Sequence, residues 1–122
     1  MHPASQEALY SREPRGNAVV LRLVSDDDTN RLTRARVQAL TAAVEDLAAH
    51  PPARLVIAGN TRFFSAGADL NEIAVLTGAE AFQFAQMGQR LMTALASFPA
   101  PTIAVIQGYC MEIGKASCRE RV

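Results

Sequence analysis

Residues 33 to 58 constrain the fold more than any other stretch, because two hydrophobic patterns of different period follow one another there. From Thr33 to Ala49 the apolar residues Val37, Leu40, Val44 and Leu47 recur at steps of three and four, which lays one stripe along an amphipathic helix. His50-Pro51-Pro52 closes it, since proline offers no amide hydrogen and its ring clashes with the preceding turn. Arg54-Leu55-Val56-Ile57-Ala58 is then a short apolar, β-branched run between proline and glycine. Coming after a helix, it predicts a buried strand of the parallel type. Upstream, Asn17-Ala18-Val19-Val20-Leu21-Arg22-Leu23-Val24 predicts another strand. Strand, helix, strand is the βαβ unit, so the fold class is α/β.

The flanks extend this unit. Residues 7–12 and 17–24 enclose Glu13-Pro14-Arg15-Gly16, whose proline and glycine suit a turn and predict a hairpin. Ser25-Asp26-Asp27-Asp28-Thr29-Asn30 is polar and rich in turn formers, a loop that ends near a helix start. Thr77-Gly78-Ala79-Glu80 has the spacing of a capping box, in which the threonine hydroxyl and the glutamate carboxylate satisfy two orphan amides reciprocally. The helix it opens, at 78–97, is expected to turn Phe84, Met87, Leu91 and Leu95 inward. Phe98-Pro99-Ala100-Pro101 breaks it, and Thr102 to Ile106 is a further strand. Asp69 to Leu76 is expected to form one or two helical turns. A parallel sheet is normally covered on both faces, so a half-domain is expected to leave the strand at 102–106 with an unpaired edge and uncovered apolar surface.

Composition excludes some functions. The chain has 122 residues, 49% of them hydrophobic, the makeup of one α/β domain or a piece of one. Twelve basic and twelve acidic residues cancel, which argues against a nucleic-acid or other polyanionic partner and requires a local site for any anionic ligand. The longest apolar runs are too short to cross a bilayer, so no membrane partner is expected. Met1-His2-Pro3-Ala4-Ser5-Gln6-Glu7 lacks the basic start and apolar core of a signal peptide, which predicts a cytoplasmic protein. Cys110 and Cys118 make neither a C-x-x-C pair nor a disulfide framework and are read as reduced. No metal site is predicted.

The chemistry concentrates in Gly59-Asn60-Thr61-Arg62-Phe63-Phe64-Ser65-Ala66-Gly67-Ala68-Asp69-Leu70. The carboxyl ends of parallel strands face a crevice where ligands sit. Small residues at 65–68 let a ligand approach the backbone, and amides at the start of the following turn can bind an anion or stabilise an oxyanion. From the residues alone two readings stay open: such a binding loop, or an ordinary small-residue loop in which Asp69 caps a helix.

Phe64-Ser65-Ala66-Gly67-Ala68-Asp69-Leu70 resembles the F-[SC]-[AS]-G-[AG]-D-[LI] signature of the crotonase family, the enoyl-CoA hydratases and isomerases. Ala18 to Val24 is similar to that family's first strand, and Asn30-Arg31-Leu32 to its "N-A-L" segment. Arg54 to Ala58 is similar to the strand before the signature, and Pro99 to Tyr109 to its "K-P-x-I-A-A-I-N-G-Y" strand. The resemblance implies the N-terminal half of a crotonase-like ββα spiral over 17–111, after an N-terminal segment and possible hairpin strand at 1–16. It implies that the backbone N–H of Ala68 donates to the thioester carbonyl of an acyl-CoA, as one half of an oxyanion hole. Ala66, Asp69, Leu70 and Asn71 would line the coenzyme A and acyl pocket, with Asp69 chiefly a helix cap. Arg31 stands where the family usually has a small residue and could meet a phosphate. No separate cofactor is implied, coenzyme A being part of the substrate, and relatives are commonly homo-oligomers, trimers or pairs of trimers.

An enolate or thioester oxyanion also needs a second donor and a proton-transferring group. Relatives take these from a Gly-Gly-Gly after the "N-G-Y" strand and from carboxylates on the helix beyond. Here Glu112 stands at the first of those glycines, and no catalytic role is carried onto it. The last ten residues resemble, apart from Lys115, the translation of a common sequencing adapter, so 112–122 is expected to be a non-native tail. A non-catalytic module that binds coenzyme A thioesters, or another partner, is the alternative to an enzyme.

Overall fold

The computed structural model describes residues 9–110. The start of the first hairpin segment, the tail at 112–122, Glu112 and Cys118 lie outside the described residues. Strands β1 (Tyr10–Arg15), β2 (Ala18–Leu23), β3 (Arg54–Ala58) and β5 (Thr102–Val105) form one sheet in the order β1-β2-β3-β5. β1 is antiparallel to β2, while β2, β3 and β5 are parallel. Helix α1 (Arg34–Ala49) crosses from β2 to β3, which is the βαβ unit read from the sequence. A second, two-stranded parallel sheet pairs β4 (Phe63–Ser65) with β6 (Tyr109–Cys110). Helices α2 (Leu70–Ala74) and α3 (Gly78–Ala96) lie between β4 and β5 in the chain.

The predicted hairpin is present, but its turn is tighter than expected. Glu13, Pro14 and Arg15 belong to β1, and the reversal takes only Gly16 and Asn17. Gly16 has φ +62°, the conformation that a two-residue turn with glycine first demands. Proline is admitted to the strand because of phase. The Val24 amide bonds to the Leu9 carbonyl at 3.2 Å and Tyr10 pairs with Leu23, so in this antiparallel ladder the even-numbered residues of β1 turn their amides away from β2. Pro14 therefore removes no ladder bond.

One face of the sheet builds the core. Leu21, Leu23 and Leu55 pack against Val37, Leu40, Val44 and Leu47 of α1, with Leu91 of α3 and Phe98. The helical stripe read from the sequence is therefore the buried one. Phe84, Met87 and Leu95 are partly buried against the same cluster. On α1 the stripe is wider than its apolar residues suggest, because Arg36 and Thr41 are also buried. β5 is an edge of the sheet among the described residues, and Val105 on it is exposed.

The capping box at α3 is formed. Thr77 Oγ1 accepts from the Glu80 amide at 3.2 Å, and Glu80 Oε1 accepts from the Thr77 amide at 2.8 Å. The hydrogen bond from the Thr77 backbone, then that involving its side chain, holds the Glu80 carboxyl below its ordinary value of 4.5. A depressed carboxyl pKa contributes stability above its unfolded value and loses it as pH falls through the folded one. Thr77→Ala is expected to cost about 1 kcal/mol near neutral pH. In acid titrations followed by circular dichroism, Glu80→Gln, which removes the titrating group, should lose less stability than the parent as pH falls through the carboxylate range. Parallel titration curves would contradict the assignment.

Candidate functional site

The loop after β2 and the segment around β4 lie side by side, and backbone bonds fix their alignment. The Ala66 amide donates to the Thr29 carbonyl at 2.7 Å, and the Leu32 amide donates to the Gly67 carbonyl at 2.8 Å. Leu32 and Ala68 form an isolated parallel bridge. Since a peptide unit is planar and trans, its N–H points opposite to its carbonyl. The Gly67 carbonyl is held by Leu32, so the Ala68 N–H is directed away from residues 29–32. β6 pairs with β4 on that other side.

Two amide side chains make this alignment possible. Asn30 is fully buried at 0% exposure with φ +53°, a conformation asparagine tolerates better than most residues. Its Nδ2 donates to the Phe64 carbonyl at 3.1 Å and its Oδ1 accepts from Ser25 Oγ at 3.1 Å. Its own carbonyl accepts from Ser65 Oγ at 2.8 Å. Asn60 closes the turn before β4. Its Oδ1 accepts from the amides of Arg62 and Phe63 at 2.9 and 2.8 Å, and its Nδ2 donates to the Asp28 carbonyl at 2.9 Å. Gly59 has to be glycine here, since a Cβ would overlap the Phe63 carbonyl and Phe64 Cα. Within the 25–32 loop, the Thr29 hydroxyl and then the Thr29 amide hold the Asp27 carboxyl below the usual range.

The candidate residues fall close together. Ala66 and Ala68 lie on the segment just described, both half-buried. Asp69 is the N-cap of α2, its Oδ1 accepting from the amides of Asn71 at 3.0 Å and Glu72 at 3.3 Å. The capping role is thus present in the geometry. Leu70 is the first residue of α2, and Asn71 follows it, exposed. Arg31 is exposed and shares with Asp69 and Glu72 the lining of an open cleft of about 450 Å³. Asp26 and Asp27 also line that cleft, so an anion near Arg31 would meet carboxylates as well. Among the described residues no group of three His, Cys, Asp or Glu side chains is placed to hold a metal ion. No helix among them is long and apolar enough to cross a membrane.

Glu72 and Asn30 have no place in the sequence reading of this site. Glu72 Oε1 accepts from the Arg34 amide at 2.7 Å, so a carboxylate on α2 caps the first residue of α1, where a negative charge is favourable. Asn30 was recognisable only as part of the "N-A-L"-like segment. A turn-forming asparagine that closes the polar run at 25–30 is the available signal for its left-handed backbone.

Comparison with known proteins agrees with this architecture. The family model described as enoyl-CoA hydratase/isomerase matches residues 14–116. A protein of Mycobacterium avium named "Probable enoyl-CoA hydratase echA17" is 35% identical over 101 residues, 82% of this chain and 39% of its own length. The structure of DspI from Pseudomonas aeruginosa superposes with a TM-score of 0.78 at 28% identity, over 91% of this chain and 43% of that one. An enoyl-CoA hydratase from Shewanella pealeana gives 0.76 at 28% identity, over 84% of this chain and 40% of that one. The chain thus spans about two fifths of the length of the relatives it matches. By the family match over residues 14–116 and the identity to these relatives, the chain belongs to the enoyl-CoA hydratase/isomerase family.

Proposed function

We propose that the protein acts on acyl-CoA thioesters, hydrating an enoyl-CoA or shifting its double bond, and that Ala68 supplies one donor to the thioester carbonyl. The observation that carries this reading is the orientation of the Ala68 peptide. Its N–H is directed away from residues 29–32 by the Leu32 bond to the Gly67 carbonyl, toward the side of β4 where β6 runs. In relatives a second donor follows the strand that Pro99 to Tyr109 resembles. Two preorganised donors aimed at one oxygen stabilise the charge that develops there. Ala66, Asp69, Leu70, Asn71 and Arg31 flank the thioester and coenzyme A. Coenzyme A arrives as part of the substrate, and the assembled protein is a trimer or a pair of trimers.

The test uses the protein extended to the length of its relatives, and follows binding of but-2-enoyl-CoA by titration calorimetry and its turnover by loss of the conjugated thioester absorbance. Ala68→Pro deletes the N–H and is expected to lower turnover about a hundredfold or more while free coenzyme A still binds. Equal affinity for coenzyme A and but-2-enoyl-CoA, with no turnover, would reject the reading.

A further inference from the structure

A chain of hydrogen bonds runs from the buried Asn30 through Ser65 to the Ala66–Gly67 peptide, next to the one that carries the Ala68 N–H. Ser65 is nearly buried, at 5% exposure, and its hydroxyl is used twice. It donates to the Asn30 carbonyl at 2.8 Å and accepts from the Gly67 amide at 3.0 Å. A hydroxyl has one hydrogen and two lone pairs, so committing the hydrogen to Asn30 leaves a lone pair directed at Gly67. The Asn30 carbonyl is held in turn, because its residue is pinned through Nδ2 to the Phe64 carbonyl and through its amide to Ser25 Oγ at 2.9 Å. Gly67 has φ +89°, well outside the common wells, and the Ser65 bond on one side with the Leu32 bond on the other fixes both of its peptides.

Resting on the reading of Ala68 as a carbonyl donor, we infer that Asn30 and Ser65 are positioning residues that set the direction of the Ala68 N–H. Neither touches the substrate. Ser65 fixes the Ala66–Gly67 peptide, and Asn30 fixes Ser65. The Gly67–Ala68 peptide is then presented with its carbonyl on Leu32 and its N–H on the opposite side. A donor that is already aimed stabilises developing charge without reorganising, which is why its direction matters more than its presence.

The spectroscopic test uses but-2-enoyl-CoA labelled with ¹³C at the thioester carbonyl, bound to the protein and read by infrared difference spectroscopy. In the parent protein the carbonyl band should lie at lower frequency than in water, the mark of a polarised carbonyl. Ser65→Ala should move it back toward the solution position and weaken binding of the thioester about tenfold, one good hydrogen bond's worth. Affinity for free coenzyme A should stay unchanged, which a general loss of structure would not allow. Ser65→Cys, nearly isosteric with a weaker donor and acceptor, should give an intermediate band and serves if the alanine variant does not fold. A band in the folded Ser65 variants identical to the parent's would overturn the positioning role alone. An unshifted band in the parent would remove Ala68 as the donor, and this inference with it.

Discussion

Arg36→Met is expected to lower the stability of the fold by about 3 kcal/mol. Arg36 is only 3% exposed, and its guanidinium holds three backbone carbonyls from two chain segments. Nε donates to the Leu9 carbonyl at 3.2 Å, Nη2 to Val24 at 2.6 Å, and Nη1 to Arg31. Methionine fills much of the same space and keeps the helix, so the loss isolates the hydrogen bonds rather than a cavity. Carbonyls left in a closed space cost about 1 to 3 kcal/mol each, less whatever water recovers. Arg36→Lys should rescue only part of the loss, because one ammonium cannot match the planar fork. Urea unfolding measures both, and a methionine variant with the parent's midpoint would refute the assignment.

Gly108→Ala should cost at least as much, about 3 kcal/mol or more, through two effects that can be separated. Gly108 has φ +68°, and a Cβ there would overlap the carbonyl group of Arg62 and approach the Thr61 carbonyl oxygen to 2.8 Å. These are backbone atoms and cannot swing aside as a side chain would. Gly16 is the natural control, with nearly the same φ of +62° and nothing within 4 Å of the added carbon. Gly16→Ala therefore carries only the conformational cost, about 1 kcal/mol. The difference between the two melting shifts reports how closely Gly108 lies against the turn before β4. Equal shifts would mean that this close approach is not maintained in solution.

Most of what could be read from the sequence was local. The α1 stripe, the Thr77–Glu80 box and the runs that became β2, β3 and β5 each depend on residues a few positions apart. Periodicity and capping are defined at that range. What stayed hidden depends on partners brought together by the fold. Ser65 Oγ reaches the Asn30 carbonyl across 35 positions, and the Glu72 carboxylate reaches the Arg34 amide across 38. Arg36 reads as an ordinary charged residue on a helix until the Leu9, Val24 and Arg31 carbonyls are placed around it. The position of Pro14 inside β1 was obscured for another reason, since proline with glycine nearby is a turn signal unless strand phase is known. At the site, the signature run marks the segment that carries Ala68. The direction of its N–H came from Leu32, which no local pattern links to Gly67.

That same proline makes the two borders of the sheet unequal. Along the side of β1 that faces away from β2, an edge among the described residues, the amides of Tyr10 and Arg12 point outward, but at residue 14 the row is interrupted. An approaching chain would forfeit a bond there and meet the pyrrolidine ring instead. The other border, β5, has no such interruption between Thr102 and Val105. Among the described residues, strand addition is therefore less favoured past β1 than past β5, so the two borders would not accept a further strand equally.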